Sequence, residues 1–341
     1  MYCALAWPLI GKGVRNEPIA DPLSSSPSRF DRSAGARTGG FDLGGGRVND
    51  ARDLTAALGG KWYRRYGAAP CPVCQPKRNK GQNALTLADG RNGRLVLDCK
   101  KSACAFLDIL AAAGVRSGDY IPPDAATLAQ RDAEQKAEAS KRAAQAKQVW
   151  TEAKPIAGTL AETYLRGRGI TCDLPQVLRF HGECWHGPTA KRHPALVAAV
   201  QSASLRAVHR TYLRADGSGK ADIAPAKLML GPVAGGAVRL KEGPGPLVVA
   251  EGIETGLSLA SGLLRTPATV WAALSTSGIR GLRLPEQPGR LTIAPDGDTA
   301  GREAANALAA RAHALGWQVS LLPAPDGRDW NDILTMKGEA A

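Results

Sequence analysis

The chain has 341 residues, 44% of them hydrophobic, which at roughly 100–200 residues per domain predicts two or three modest domains and excludes a single small binding module. Its 44 Lys and Arg against 31 Asp and Glu leave a net charge of +13, which favours a polyanionic partner over a neutral metabolite. No apolar run reaches the roughly 18–20 residues that cross a bilayer, so a soluble, unexported protein without membrane contact is expected.

Residues 1–46 are rich in Gly, Ser, Pro and Arg, show no apolar periodicity and are expected to be disordered. From about residue 49, Asp53 to Leu58 reads as a short helix, Ala84 to Leu87 and Arg94 to Asp98 as strands, and Phe106 to Ala112 as a closing helix. Pro122-Pro123 ends this unit. Residues 124–150, rich in Ala, Gln, Lys and Glu, predict a polar helical connector. Over 151–242 a short helix (Thr159 to Arg166) and strand-like runs (Ala195 to Val200, Ala207 to Leu213, Lys227 to Leu230, Ala237 to Leu240) indicate a mixed α+β domain. Beyond Gly243-Pro244-Gly245-Pro246 the order becomes regular: strand Leu247 to Ala250, helix Glu254 to Leu264, strands Thr269 to Ala272 and Leu291 to Ala294, helix Thr299 to Leu315, strand Gln318 to Leu322. Alternating apolar strands and helices predict a parallel sheet covered on both faces over 243–336.

The first chemical signal is Cys71-Pro72-Val73-Cys74, followed after 24 residues by Cys99 and Cys104. Two knuckles flanking a stranded insert suit tetrahedral Zn2+ held by four thiolates, a structural site with no open position for water. The competing reading is four separate buried cysteines. Residues 49–118 carry 12 basic and 5 acidic side chains, and Trp62, Tyr63 and Tyr66 interleave with Lys61, Arg64 and Arg65. That mixture suits phosphate contact with base stacking on single-stranded nucleic acid; aromatics packed in a small core would give the same pattern. Cys172, His181, Cys184 and His186 match no recurring ligand spacing and read as core or loop.

The second signal is acidic. Glu251 directly follows the strand Leu247 to Ala250, and Asp296-Gly297-Asp298 follows the strand Leu291 to Ala294. Parallel strands present ligand sites at their carboxyl ends, so these acids are expected on one edge. Converging carboxylates need a hard cation, Mg2+ or Mn2+, and Asp329 and Asp332 are placed to add ligands. Glu254, Asp298 and Asp329 also suit helix N-termini, where an acid is favourable without any metal.

Glu251-Gly252, Asp296-Gly297-Asp298, Gly301-Arg302 and the late Asp329 and Asp332 together resemble a Toprim domain, the catalytic core of bacterial-type primases, topoisomerases and some nucleases. With a zinc ribbon in front, residues 49–336 resemble primase-like Toprim proteins of phages, plasmids and mobile elements. The resemblance implies Glu251 as the catalytic carboxylate, Asp296 and Asp298 as metal ligands, and priming on a single-stranded DNA template from ribonucleoside triphosphates, beside a separate replicative helicase in a cytoplasmic, nucleoid-associated setting. Arg210 and Lys227 are candidate phosphate contacts. The sequence departs from the pattern where an acid often follows the first Glu-Gly: here Glu254-Thr255 stands. All six tyrosines precede residue 243, which weakens a topoisomerase reading. A Toprim nuclease and a non-catalytic single-strand-binding accessory factor are the alternatives.

Overall fold

The computed structural model describes residues 50–339 except 64–65, 78, 80, 91–92, 117–119, 122 and 202–204. The expectation for residues 1–46 and the candidate contacts Arg64 and Arg65 therefore lie outside the described residues. The chain divides into two compact units, 1–122 and 123–341.

In the first unit, α1 (Ala51–Ala57) starts at Asp50, whose carboxylate accepts the Asp53 N–H at 2.8 Å. It lies on a four-stranded antiparallel sheet ordered β1 (Lys61–Tyr63), β2 (Tyr66–Ala69), β3 (Leu85–Asp89) and β4 (Leu95–Cys99), followed by α2 (Phe106–Ala112). The hairpin β1–β2 was not expected from the sequence, since three- and four-residue strands give too little alternation to read. Leu54, Leu58, Leu85, Leu87 and Ile109 are fully buried between helices and sheet.

The second unit opens with α3 (Ala125–Glu152), the expected connector. It is not free-standing. Its C-terminal half lays Ala146, Val149 and Trp150 on Cys184, Ala195, Val197, Val208 and Tyr212 of an antiparallel sheet, because an otherwise polar helix concentrates its apolar residues there. That sheet runs β5 (Lys154–Pro155), β6 (Leu178–His186), β7 (Lys191–Gln201), β8 (Leu205–Tyr212), β9 (Lys227–Leu230), with α4 (Leu160–Gly167) between β5 and β6.

The remainder comprises β10 (Val238–Lys241), β11 (Leu247–Ala250), α5 (Ile253–Ser258), β12 (Thr269–Ala272), α6 (Thr276–Gly281), β13 (Arg290–Ala294), α7 (Thr299–Ala314), β14 (Gln318–Leu321) and α8 (Trp330–Glu339). Its sheet is ordered β10-β12-β11-β13-β14, parallel except for β10. The run expected to end the middle domain thus becomes the antiparallel edge of the C-terminal sheet. Its alternation explains the placement: Val238 and Leu240 are buried, while Arg239 lies over the Trp271 ring at 4.8 Å. The apolar run of β11 is buried on both faces. Val248 and Ala250 join one core and Leu247 and Val249 the other. The first core also contains Leu178, Leu196, Ala198 and Leu213 of the middle sheet, so the two sheets share packed side chains and no gap falls at 242–243.

The helix expected over 254–264 ends at Ser258 and continues as a wider turn, Leu259–Leu263, interrupted where Gly262 takes φ 104°. No helix is long and apolar enough to cross a membrane among the described residues.

Candidate active site and thiol cluster

Glu251 leaves the end of β11, and Asp296 and Asp298 leave the end of β13. These strands are adjacent and parallel, with Ala250 opposite Ala294. The backbone at Glu251 is held by its neighbour: its carbonyl accepts the Leu274 N–H at 2.7 Å, with Leu274 in the left-handed region at φ 73°. A leucine there costs about 1 kcal/mol, which the surrounding structure must offset.

The second turn is fixed by close approach. A Cβ on Gly297 would lie 1.9 Å from the Pro325 carbonyl oxygen, so only glycine fits between the two aspartates. Gly297 N–H donates to the Arg328 carbonyl at 2.8 Å, and Gly327 N–H returns to the Gly297 carbonyl at 3.0 Å. This clasp brings the loop before α8 against the Asp296 turn.

The acids feel one another. Burial first, then the charges of Asp296 and Asp298, push the Glu251 carboxyl up to about 7. Burial, then Asp329 and Asp298, push Asp296 up to about 6, with Thr255 and Lys227 acting the other way. Yet their oxygens do not gather on one point. Among the described residues, the only group of three or more His, Cys, Asp or Glu with ligand atoms all within 4.8 Å is the thiol cluster. The expected convergence is therefore a shared edge of mutually repelling carboxylates, oxygen donors of the kind that fit Mg2+ or Mn2+.

Two of the candidate ligands already serve helices. Exposed Asp298 accepts the Gly301 N–H at 2.6 Å and caps α7. Asp329 Oδ1 accepts the N–H groups of Asn331 and Asp332, both at 2.8 Å, while Asp332 Oδ2 accepts the Asp329 N–H at 3.0 Å, a reciprocal cap on α8. Asn331, 1% exposed, donates to the Arg168 carbonyl at 2.8 Å and to Ser258 Oγ at 2.9 Å. The Asp329 turn is thereby fastened to α5 and to the segment after α4.

Glu254 is buried and faces the middle sheet. Its Oε1 accepts from the Tyr164 hydroxyl at 2.7 Å and pairs with Lys220 at 3.6 Å; its Oε2 accepts from Lys227 at 3.2 Å. Burial alone would raise this carboxyl, but the two lysines and the tyrosine hold it far below the usual carboxylate range. Lys227, a candidate phosphate contact, lies near enough to the acid edge for its charge to lower Glu251 and Asp296. Arg210 does not: it lies on the opposite face of β8, 8% exposed, donating to the Trp185 carbonyl at 3.1 Å over the Tyr212 ring. His209 takes the face toward Lys227 and Glu254, where burial first and Lys227 next push it down to about 4. Sequence reasoning did not single out Lys220, in a Gly- and Ser-rich turn, or Asn331, beside two acids; only the fold reveals them.

In the first unit, Cys71, Cys74, Cys99 and Cys104 bring their sulfurs within 4.8 Å of one another. Gln75 braces the first knuckle, its Oε1 accepting from Cys71 N–H at 3.1 Å and Ala84 N–H at 3.0 Å. The second knuckle spans its wider spacing with Ala103 at φ 45°. Burial would raise the Cys99 thiol, but the N–H groups of Ser102, Cys104 and Lys101 outweigh it and bring it down to about 6. Burial and the neighbouring sulfurs push Cys104 up to about 12. Four thiols so close cannot all ionise without a cation, and the set fits a tetrahedral ion such as Zn2+. Cys172, His181, Cys184 and His186 form no such group. The aromatic set splits: Trp62 packs against the core, while Tyr63 and Tyr66 are 41% and 45% exposed with rings stacked 5.5 Å apart, and Lys61 Nζ lies 5.7 Å from the Tyr63 ring centre.

Residues 246–340 match the family model of the Toprim domain. The C-terminal part of the chain is therefore similar to a Toprim domain. Residues 140–240, the middle sheet with the end of α3, match a domain of unknown function, DUF7146, and no curated protein matches the chain. Among solved structures it is similar to a DNA primase domain from Pseudomonas aeruginosa (19% identity, 57% of this chain and 75% of that chain, TM-score 0.36). It is also similar to the RNA polymerase domain of Mycobacterium tuberculosis primase DnaG (17%, 59% and 80%, 0.38) and to the zinc-binding and RNA polymerase domains of Aquifex aeolicus primase (14%, 89% and 84%, 0.37). At these values the likenesses carry no argument about activity. Glu251, Asp296 and Asp298 all lie within the residues matched to the Toprim model.

Proposed function

We propose that this protein is a DNA primase-like nucleotidyltransferase that makes short RNA primers on single-stranded DNA. The observation that carries the reading is an acid edge beside a held cation: Glu251 and Asp296 stand at the ends of adjacent parallel strands, and Lys227 of β9, paired with buried Glu254, is close enough for its charge to lower both carboxyls. A divalent ion on carboxylates and ammonium groups beside it are what a nucleoside triphosphate requires.

In this reading Glu251, Asp296 and Asp298 hold Mg2+ or Mn2+, with Asp329 and Asp332 at the margin of the site. The ion, when bound, neutralises charge on the phosphates. Lys227 contacts the triphosphate from the middle sheet, and the half-buried edge limits competing water. Arg210, on the far face of β8, is left out of the phosphate site. The four cysteines hold structural Zn2+, and Lys61 with Tyr63 and Tyr66 gives the first unit a surface for phosphate contact and base stacking on the template. Unwinding would come from a separate helicase.

The test uses the zinc-loaded full chain with single-stranded DNA, labelled ribonucleotides and Mg2+ or Mn2+, beside Glu251→Gln and Asp296→Asn. Short labelled oligomers from the wild type, absent in both variants, are expected. Degradation of the DNA would transfer the site to a nuclease, and binding without either reaction would leave an accessory factor.

A further inference from the structure

Where an acid often follows the first Glu-Gly, this chain has Glu254-Thr255, and the two residues turn different ways. Glu254 is engaged on both oxygens by Tyr164, Lys220 and Lys227. Thr255, 3% exposed in the first turn of α5, reaches across to the neighbouring strand-end turn and donates its hydroxyl to Asp296 Oδ1 at 3.3 Å. We propose that Thr255 is the positioning residue of the acid edge: its hydroxyl fixes the Asp296 carboxylate and leaves Oδ2 as the oxygen offered to a divalent cation. The inference rests on the reading of this edge as a metal site.

Three features support the assignment. A helical Thr or Ser hydroxyl ordinarily bonds back to the carbonyl four residues earlier, as Ser258 does to Glu254 at 2.8 Å and Thr55 to Ala51 at 2.7 Å. Thr255 stands in the first turn of α5, so the residue four earlier, Glu251, lies before the helix and its carbonyl accepts the Leu274 N–H at 2.7 Å; the hydroxyl is bonded to Asp296. A Cβ on Gly252 would lie 3.3 Å from Thr255 Oγ1, so the glycine keeps space around the hydroxyl. The bond also spans the ends of two adjacent strands, so it fixes the spacing between the Glu251 and Asp296 turns. Neighbours that orient a metal ligand matter almost as much as the ligand: their loss costs about 10- to 100-fold in metal affinity or activity.

The experiment measures Mn2+ binding to the zinc-loaded full chain by electron paramagnetic resonance at fixed pH, with no substrate. Compared are the wild type, Glu251→Gln, Thr255→Val, Thr255→Ser, Asp296→Asn and the pair Thr255→Val with Asp296→Asn. Expected are binding lost in Glu251→Gln, a Kd about 10-fold weaker in Thr255→Val, and a Kd within about 2-fold of wild type in Thr255→Ser. Asp296→Asn, which removes the ligand itself, should weaken binding at least as much as Thr255→Val, and the pair no more than Asp296→Asn alone; recovery in Thr255→Ser, which keeps the hydroxyl and loses the methyl, separates action through Asp296 from loosened packing. Thr255→Val binding Mn2+ like the wild type while Glu251→Gln does not would overturn the role of Thr255 and leave the metal site standing. Binding unaffected by Glu251→Gln would overturn the metal reading itself. Should Thr255→Val fail to fold, Thr255→Ala in the same cycle decides, with the same two outcomes.

Discussion

Removing the charge of Glu251 should stabilise the metal-free protein, although it removes the residue at the centre of the proposed chemistry. Burial and the neighbouring Asp296 and Asp298 raise this carboxyl from an ordinary 4.5 to about 7. At roughly 1.4 kcal/mol per pH unit, the ionised form is held in the folded state at a cost of about 3 kcal/mol; water reaching a half-buried edge trims this to about 1–2 kcal/mol. The sign follows from proton binding. Between about pH 4.5 and 7 the folded chain holds a proton that the unfolded chain has released, so stability falls as pH rises through this window. Glu251→Gln, neutral at every pH, escapes the penalty. Thermal unfolding of zinc-loaded protein without Mg2+ or Mn2+ should show the second unit melting about 3–6 °C higher in Glu251→Gln than in the wild type at pH 8. At pH 4 the two should coincide. Adding Mg2+ should raise the wild-type transition and leave the variant where it was. Equal transitions at pH 8, or an advantage that persists unchanged at pH 4, would refute the electrostatic account of the acid edge.

Other outcomes follow from the same geometry. Cys99→Ser should reduce bound zinc, read by mass spectrometry, from about one per chain to none and loosen the first unit while the second melts normally. Lys227→Met leaves the Glu254 carboxylate, 4% exposed, with fewer partners and should cost about 2 kcal/mol at pH 7 by urea denaturation. Glu254 is held low in the folded state, so its ion pairs contribute above about pH 4.5 and fade on acidification; the gap between variant and wild type should narrow toward pH 3. Tyr63→Ala with Tyr66→Ala should weaken single-stranded DNA binding about 10-fold by fluorescence anisotropy, and the corresponding Phe pair should bind like the wild type.

Much of this molecule is legible in its sequence because its strongest signals are local. The run Leu247-Val248-Val249-Ala250 with an acid at its end needs only the rule that covered parallel strands are apolar throughout and open ligand sites at their carboxyl ends. The observed β11 has the expected bounds. The cysteine spacing is equally local, and the four sulfurs do cluster. Less legible was anything resting on pairing between distant segments. Val238–Lys241 reads as a strand, but only the sheet shows that it pairs with β12. The polar helix α3 reads as a spacer, since its few apolar residues acquire meaning only against Val197 and Val208.

The basic residues show most clearly where local reading fails. His209 and Arg210 are neighbours, and on charge alone Arg210 is the natural phosphate ligand. A strand sends successive side chains to opposite faces, so the choice is decided by which face of β8 meets the C-terminal half, and no local pattern encodes that. Register settles it: Thr211 pairs with Lys227 and Arg210 with Leu228, so His209, Thr211 and Lys227 share the face toward Glu254 while Arg210 goes to the α3 side. The lysine that reaches the acid edge does so because Glu254, three residues beyond Glu251, is aimed at it. The departure from the expected acid spacing and the presence of a fixed cation beside the acids are thus one feature. Glu254, engaged by Tyr164, Lys220 and Lys227, joins the middle sheet to the edge where the proposed chemistry takes place.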